Sequence, residues 1–164
     1  MKVKKLAVLL VLVVLATGFI FYNSLKNSEE SNKASGVVEE IVEPIVEEIT
    51  GKEDVDVYYA VRKGAHLTEF FILGVTVLSV VAAVKTQRNN LIGYGLFYVL
   101  LVAVTDEYIQ SFSDRTSSVT DVFIDLAGAL IGFGVCALVM IGYAGVKERS
   151  KKRAEKRNEY GDKK

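Results

Sequence analysis

The 164-residue chain holds one cysteine, one histidine and one proline. A single thiol, Cys136, set inside an apolar run, excludes an internal disulfide and any multi-thiolate metal site, and makes redox chemistry a poor reading. With only His66 as an imidazole donor and no converging thiols, a dedicated zinc site is not expected. The sequence also lacks a G-x-S-x-G elbow, a phosphate-cradling glycine loop and an H-E-x-x-H pair. It has no internal repeat and no low-complexity tract. We therefore expect no cofactor and no resident metal.

Polar positions are scarce too: 51% of the residues are hydrophobic, more than a soluble domain of ordinary composition uses. They concentrate in four runs, Leu6–Tyr22, Leu67–Val84, Leu91–Thr105 and Val122–Val146. A hydrocarbon core of about 30 Å needs roughly 20 helical residues. The third run is short, so it must borrow the following turns, which places Asp106 and Glu107 at the bilayer boundary. The first run has the basic start of a secretory signal. Its apolar centre is long and no small-x-small site follows closely, so we read it as an uncleaved anchor.

Zero formal net charge conceals a segregation. Residues 23–61 carry ten acidic and three basic side chains, whereas residues 147–164 carry nine basic and four acidic ones. Basic segments favour the cytoplasm, and four crossings put the N-terminus, the Lys85–Arg88 loop and the tail on one side. This predicts a multi-pass membrane protein with both termini cytoplasmic. The tail reads as a solvated helix end that sets topology, and no nucleic-acid partner is expected. On the opposite face, Val37, Val38, Ile41, Val42, Ile45, Val46 and Ile49 repeat at helical spacing against Glu39, Glu40, Glu43, Glu47 and Glu48. An amphipathic helix between Ser35 and Thr50, kinked at Pro44, follows. It suits an interfacial cap, a lid, or a docking surface in which residues 37–50 meet a protein partner.

Three polar stretches sit at the ends of apolar runs, all at the outer level: Arg62 to Glu69, Asp106 to Arg115, and Asp121 to Asp125. An ionised group inside a bilayer costs at least ~2.5 kcal/mol, so such residues persist when paired, solvated or used. On a helix Arg62, His66 and Glu69 form one stripe, with His66 and Glu69 one turn apart. A carboxylate beside an imidazole suits proton transfer or ion binding, or simply satisfies a packed histidine. Asp106, Glu107 and Gln110 fall on neighbouring faces. Two adjacent carboxylates repel, so one is expected to be neutral, paired with Arg115, Arg62 or Lys63, or bound to a cation. Arg115 offers a two-point fork for carboxylate or phosphate, or an internal ion pair. Asp121, Asp125, Gly128 and Gly132 share a face, so the carboxylates lie on the side where small residues let helices approach. That face is expected to point into the bundle, toward His66 and Asp106.

R-K-x-x-H-x-x-E-F, D-E-x-x-Q-x-F-x-x-R and D-V-x-x-D-x-x-G-A-x-x-G, in this order over residues 58–146, resemble the VanZ family of bacterial membrane proteins. The chain departs from the family pattern where Ser113-Asp114 replaces a Pro-Gly type of turn. The resemblance implies a compact helical membrane domain, and links the family's namesake to low-level teicoplanin resistance. Its motif positions here are Lys63, His66, Glu69, Asp106, Glu107, Gln110, Arg115, Asp121 and Asp125. The expected fold is all-α and integral to the membrane, with four transmembrane helices and one extracytoplasmic amphipathic helix. Its parts are an anchor (1–22), an acidic segment (23–57), a VanZ-like core (58–146) and a basic tail (147–164).

The leading functional expectation is a cell-envelope protein surrounded by membrane lipids. Its outward polar cluster binds an envelope component, either a cell-wall precursor or a glycopeptide, and contributes to teicoplanin-type resistance. In this reading Lys63, Gln110, Arg115, Asp121 and Asp125 hold the ligand. The rival is an intramembrane enzyme that modifies a lipid or precursor headgroup, with His66 and Glu69 as an acid-base pair beside Asp106 and Glu107. A third reading makes the cluster a structural polar core.

Overall fold

The computed structural model describes residues 2–50, 57–84, 88–113 and 117–161. These form five helices, α1 (Lys2–Ser24), α2 (Ser28–Thr50), α3 (Val57–Ala83), α4 (Arg88–Gln110) and α5 (Val119–Gly161), with no strand among the described residues. Four of them, all but α2, are long and apolar enough to cross a membrane. Helices suit that solvent because each satisfies its backbone groups internally where no water is available. The protein is thus an all-α, multi-pass membrane protein. As the short third run requires, α4 continues past Thr105 through Asp106 and Glu107 to Gln110.

Two elements extend beyond the apolar pattern. Helix α2 starts earlier than its hydrophobic periodicity, because Asn27 caps it: the side-chain Oδ1 accepts the Glu30 backbone N–H at 2.8 Å. Glu29 and Glu30 then occupy the first turn, where negative charge complements the helix dipole. The helix runs unbroken through Pro44, which lies on an exposed face with Glu40 and Glu43. Helix α5 carries the basic tail as a continuation of its membrane segment. Its 43 residues correspond to about 65 Å at 1.5 Å per residue.

Helix α3 is central and packs against each of the other four. Phe70, Leu73 and Val77 of α3 meet Val99, Val102 and Ala103 of α4, Ala129 and Phe133 of α5, and Ile20 of α1. Large apolar side chains such as Phe97, Leu138 and Ile141 point outward, as expected of surfaces that face lipid. Between α3 and α5 the backbones touch. A Cβ on Gly74 would overlap the Ala129 carbonyl, one on Gly128 the Leu67 carbonyl, and one on Gly132 the Phe71 carbonyl. Lipid is as apolar as leucine, so membrane helices associate through close packing and polar contacts rather than hydrophobic exclusion. The G-x-x-x-G face of α5 therefore points into the bundle, as its pattern predicts.

This contact predicts unequal effects of one methyl group. Gly128→Ala or Gly74→Ala should destabilise the detergent-solubilised protein by about 1–3 kcal/mol, the usual cost of overpacking. Gly134→Ala, whose Cβ meets nothing within 4 Å, should leave it unchanged or slightly more stable through helix propensity. The fraction of monodisperse protein surviving a temperature ramp distinguishes these outcomes.

Candidate functional site

Four helix ends converge at one level of the bundle. Chain direction brings the end of α1, the first half of α3, the last turn of α4 and the first turns of α5 together. Helical spacing then turns their polar side chains inward. His66, Asp106, Glu107, Gln110, Asp121 and Asp125 are all buried, with exposures of 7% or less.

The helix register splits α3's polar residues between neighbours. Lys63 turns toward α5 and pairs with Asp121, while its ammonium lies 5.1 Å from the Tyr59 ring centroid. His66 faces α4 and α5, with Nδ1 3.3 Å from Asp125 Oδ1 and 3.7 Å from Asp106 Oδ2. Glu69 turns toward α1, where it accepts a 2.7 Å hydrogen bond from Asn23 Nδ2. The carboxylates at ion-pair distance from the imidazole are thus Asp125 and Asp106, whereas Glu69, one turn away on the same helix, is held by Asn23. Residues one turn apart share a stripe, but that spacing does not decide which facing helix each side chain meets.

The adjacent carboxylates of α4 also diverge. Asp106 Oδ2 accepts from Gln110 Nε2 at 2.9 Å, the i,i+4 contact that the helix allows, and Oδ1 accepts from the Ser24 hydroxyl. Glu107 Oε2 accepts the Ser118 backbone N–H at 2.7 Å, joining the end of α4 to the residue before α5. Ser118 also caps α5, since its Oγ accepts the Thr120 N–H at 3.2 Å. Arg115 and the neighbouring Asp114 lie outside the described residues. The remaining motif residues, Lys63, His66, Glu69, Asp106, Glu107, Gln110, Asp121 and Asp125, are brought to this one level.

Asn23 and Ser24 join the cluster from α1, outside the three polar motifs. Their only sequence signal is position, since they follow Tyr22 at the C-terminal end of an apolar run, and polar residues close many such runs. Asn23, Ser24, Arg62, His66, Glu69, Asp106 and Gln110 line a cavity of about 290 Å³ together with Phe19, Val38, Val61 and Ala65. A second, apolar cavity of about 600 Å³ lies between α2 and α3 against Val42, Val46, Ala60 and Ile72. Phe19, Val38, Val61, Ala65 and Glu69 line both, so the two are contiguous. Deeper in the cluster, one potential ligand atom from each of His66, Asp106, Glu107 and Asp125 lies within 4.8 Å of the others.

Breaking the buried Lys63–Asp121 pair tests the local energetics. Lys63→Met leaves a carboxylate at 2% side-chain exposure without its cation, and should cost about 3–5 kcal/mol of stability. The double substitution Lys63→Met/Asp121→Leu should recover most of that loss, read as melting temperature in one detergent. Equal melting of parent and single variant would remove the pair from the structural account.

A family model described as VanZ/LLP1 matches residues 8–140. The matched span reaches further toward the N-terminus than the motif-bearing stretch 58–146, and it takes in all of α2 and most of α1. No curated protein and no solved structure matches the chain. The matched span holds most of the sequence and every buried polar residue of the cluster, and on that ground the chain belongs to the VanZ/LLP1 family.

Proposed function

We propose that this VanZ-like protein resides in the cell membrane with both termini cytoplasmic and binds an amphiphilic component of the envelope in its outward polar cavity. The observation that carries this reading is the junction of the polar cavity with the apolar groove along Phe19, Val38, Val61, Ala65 and Glu69. Such a shape suits a molecule with a hydrogen-bonding head and a hydrocarbon body, as a lipid-linked wall precursor or a lipid-bearing glycopeptide has. Arg62 and the amides of Asn23 and Gln110 supply donors to the head. Sequestering such a molecule, or shielding it, supports a contribution to teicoplanin-type resistance. The charge asymmetry of loops and tail supports the orientation. On α2, Val37, Ile41 and Ile45 form an exposed apolar stripe that suits a protein partner.

A second reading draws on the presence of both His66 and Glu69 in the cavity wall. In it they exchange protons with a bound lipid or precursor headgroup and transform it. This reading demands a changed envelope lipid, absent when His66→Ala replaces the parent at equal abundance, in comparative mass spectrometry of the membrane.

Binding without transformation predicts a different result. Ala65→Phe places a ring at the shared wall of the two cavities from an exposed position. It should leave membrane abundance intact, remove most co-purified envelope lipid in native mass spectrometry, and return a sensitive host to its basal teicoplanin susceptibility. Unchanged lipid and unchanged susceptibility would refute the proposal.

A further inference from the structure

The geometry points to a binding site for one divalent cation formed by His66, Asp106, Glu107 and Asp125. Their candidate ligand atoms all lie within 4.8 Å of one another, and all four residues are buried. Metal–ligand bonds of about 2.0–2.3 Å hold opposite donors roughly 4–4.6 Å apart. The four groups thus stand at the spacing of a coordination shell that closes by small side-chain movements.

A second observation comes from the polar atoms aimed into the cluster. His66 Nδ1, in a residue 7% exposed, lies within ion-pair distance of Asp125 Oδ1 at 3.3 Å and Asp106 Oδ2 at 3.7 Å without a well-aligned hydrogen bond to either. Gln110 is fully buried, and its amide donates to Asp106 while its Oε1 has no partner. Both oxygens of the fully buried Asp125 and Oε1 of Glu107 lack hydrogen-bond donors as well. Among the described residues no lysine or arginine forms an ion pair with Asp125 or Glu107, and the nearby Lys63 pairs with Asp121. Acceptors gathered away from water with so few donors are a costly arrangement unless a positive charge sits among them. A cation supplies that charge to several oxygens at once and takes the imidazole lone pair.

One nitrogen and up to three carboxylates are borderline-to-hard donors, which favours manganese, iron or zinc in the divalent state over soft monovalent copper. The donor count that disfavours a zinc finger or a histidine-rich centre does not exclude this mixed shell. Cation binding at this cluster is independent of the amphiphile reading, because it requires only these side chains.

The test uses the full chain in detergent, stripped with a chelator, desalted, and titrated with Mn²⁺ under electron paramagnetic resonance. The parent should bind one Mn²⁺ per chain, displaced by Zn²⁺, and its melting temperature should rise with either ion but not with K⁺. Asp125→Asn and Asp106→Asn, which keep side-chain shape, should each weaken binding at least about tenfold. Glu29→Gln on the acidic α2 should bind as the parent does. Absence of both binding and thermal stabilisation in the parent overturns the proposal, as does equal binding by the two aspartate variants. A loss shared by Glu29→Gln also overturns it, since that would place the ions on the acidic surface. Should the aspartate variants fail to fold, the ion-dependent melting of the parent decides alone.

Discussion

The backbone contact between α3 and α5 sets the distances on which the polar cluster depends. Gly74, Gly128 and Gly132 bring each helix against carbonyls of the other, at Ala129, Leu67 and Phe71 respectively. At that separation short side chains reach across: Asp125 meets the His66 ring and Asp121 meets the Lys63 ammonium. Larger residues at the glycine positions would part the axes and leave buried carboxylates facing nothing. The glycines occupy the seam itself, and the polar pairs lie at one end of it, so packing and electrostatics act on one interface.

Around that seam, the other helices complete rather than create the cluster. Helix α4 brings Asp106, held by Gln110 and Ser24, and Glu107, held by the residue before α5. Helix α1 is more than a tether, because it places Ile20 in the core and Asn23 and Ser24 among the carboxylates. Its polar contact with α4, between Thr17 and Tyr98 at 2.8 Å, lies further along the same helix pair. The family match beginning at residue 8 agrees with a unit that includes α1.

Much of this was legible in the sequence for a physical reason: helical periodicity fixes which residues share a face. The four apolar runs, the extension of α4 through Asp106 and Glu107, and the common face of Asp125 with Gly128 and Gly132 all follow from it. Partner choice across helices was legible only in part: the glycine-bearing face of α5 was expected to turn Asp125 toward His66, and it does. That Glu69 meets Asn23 was not, because it depends on rotation about axes that a single run does not encode. The early start of α2 rests on one capping side chain, Asn27, rather than on any repeat. A tally of histidines and thiols likewise describes donor types without their convergence, which only the tertiary fold supplies.

Helix α5 contains no proline, and its described length runs without a break from Val119 to Gly161. The buried carboxylates at one end and the cationic residues at the other consequently belong to a single stiff rod. Its distal half, with Lys147, Lys151 and Lys152 exposed, extends well beyond the glycine seam. The contacts of Gly128 and Gly132 lie between those two ends. The cationic stem is therefore moored to the bundle through the same seam that aims Asp121 at Lys63 and Asp125 at His66.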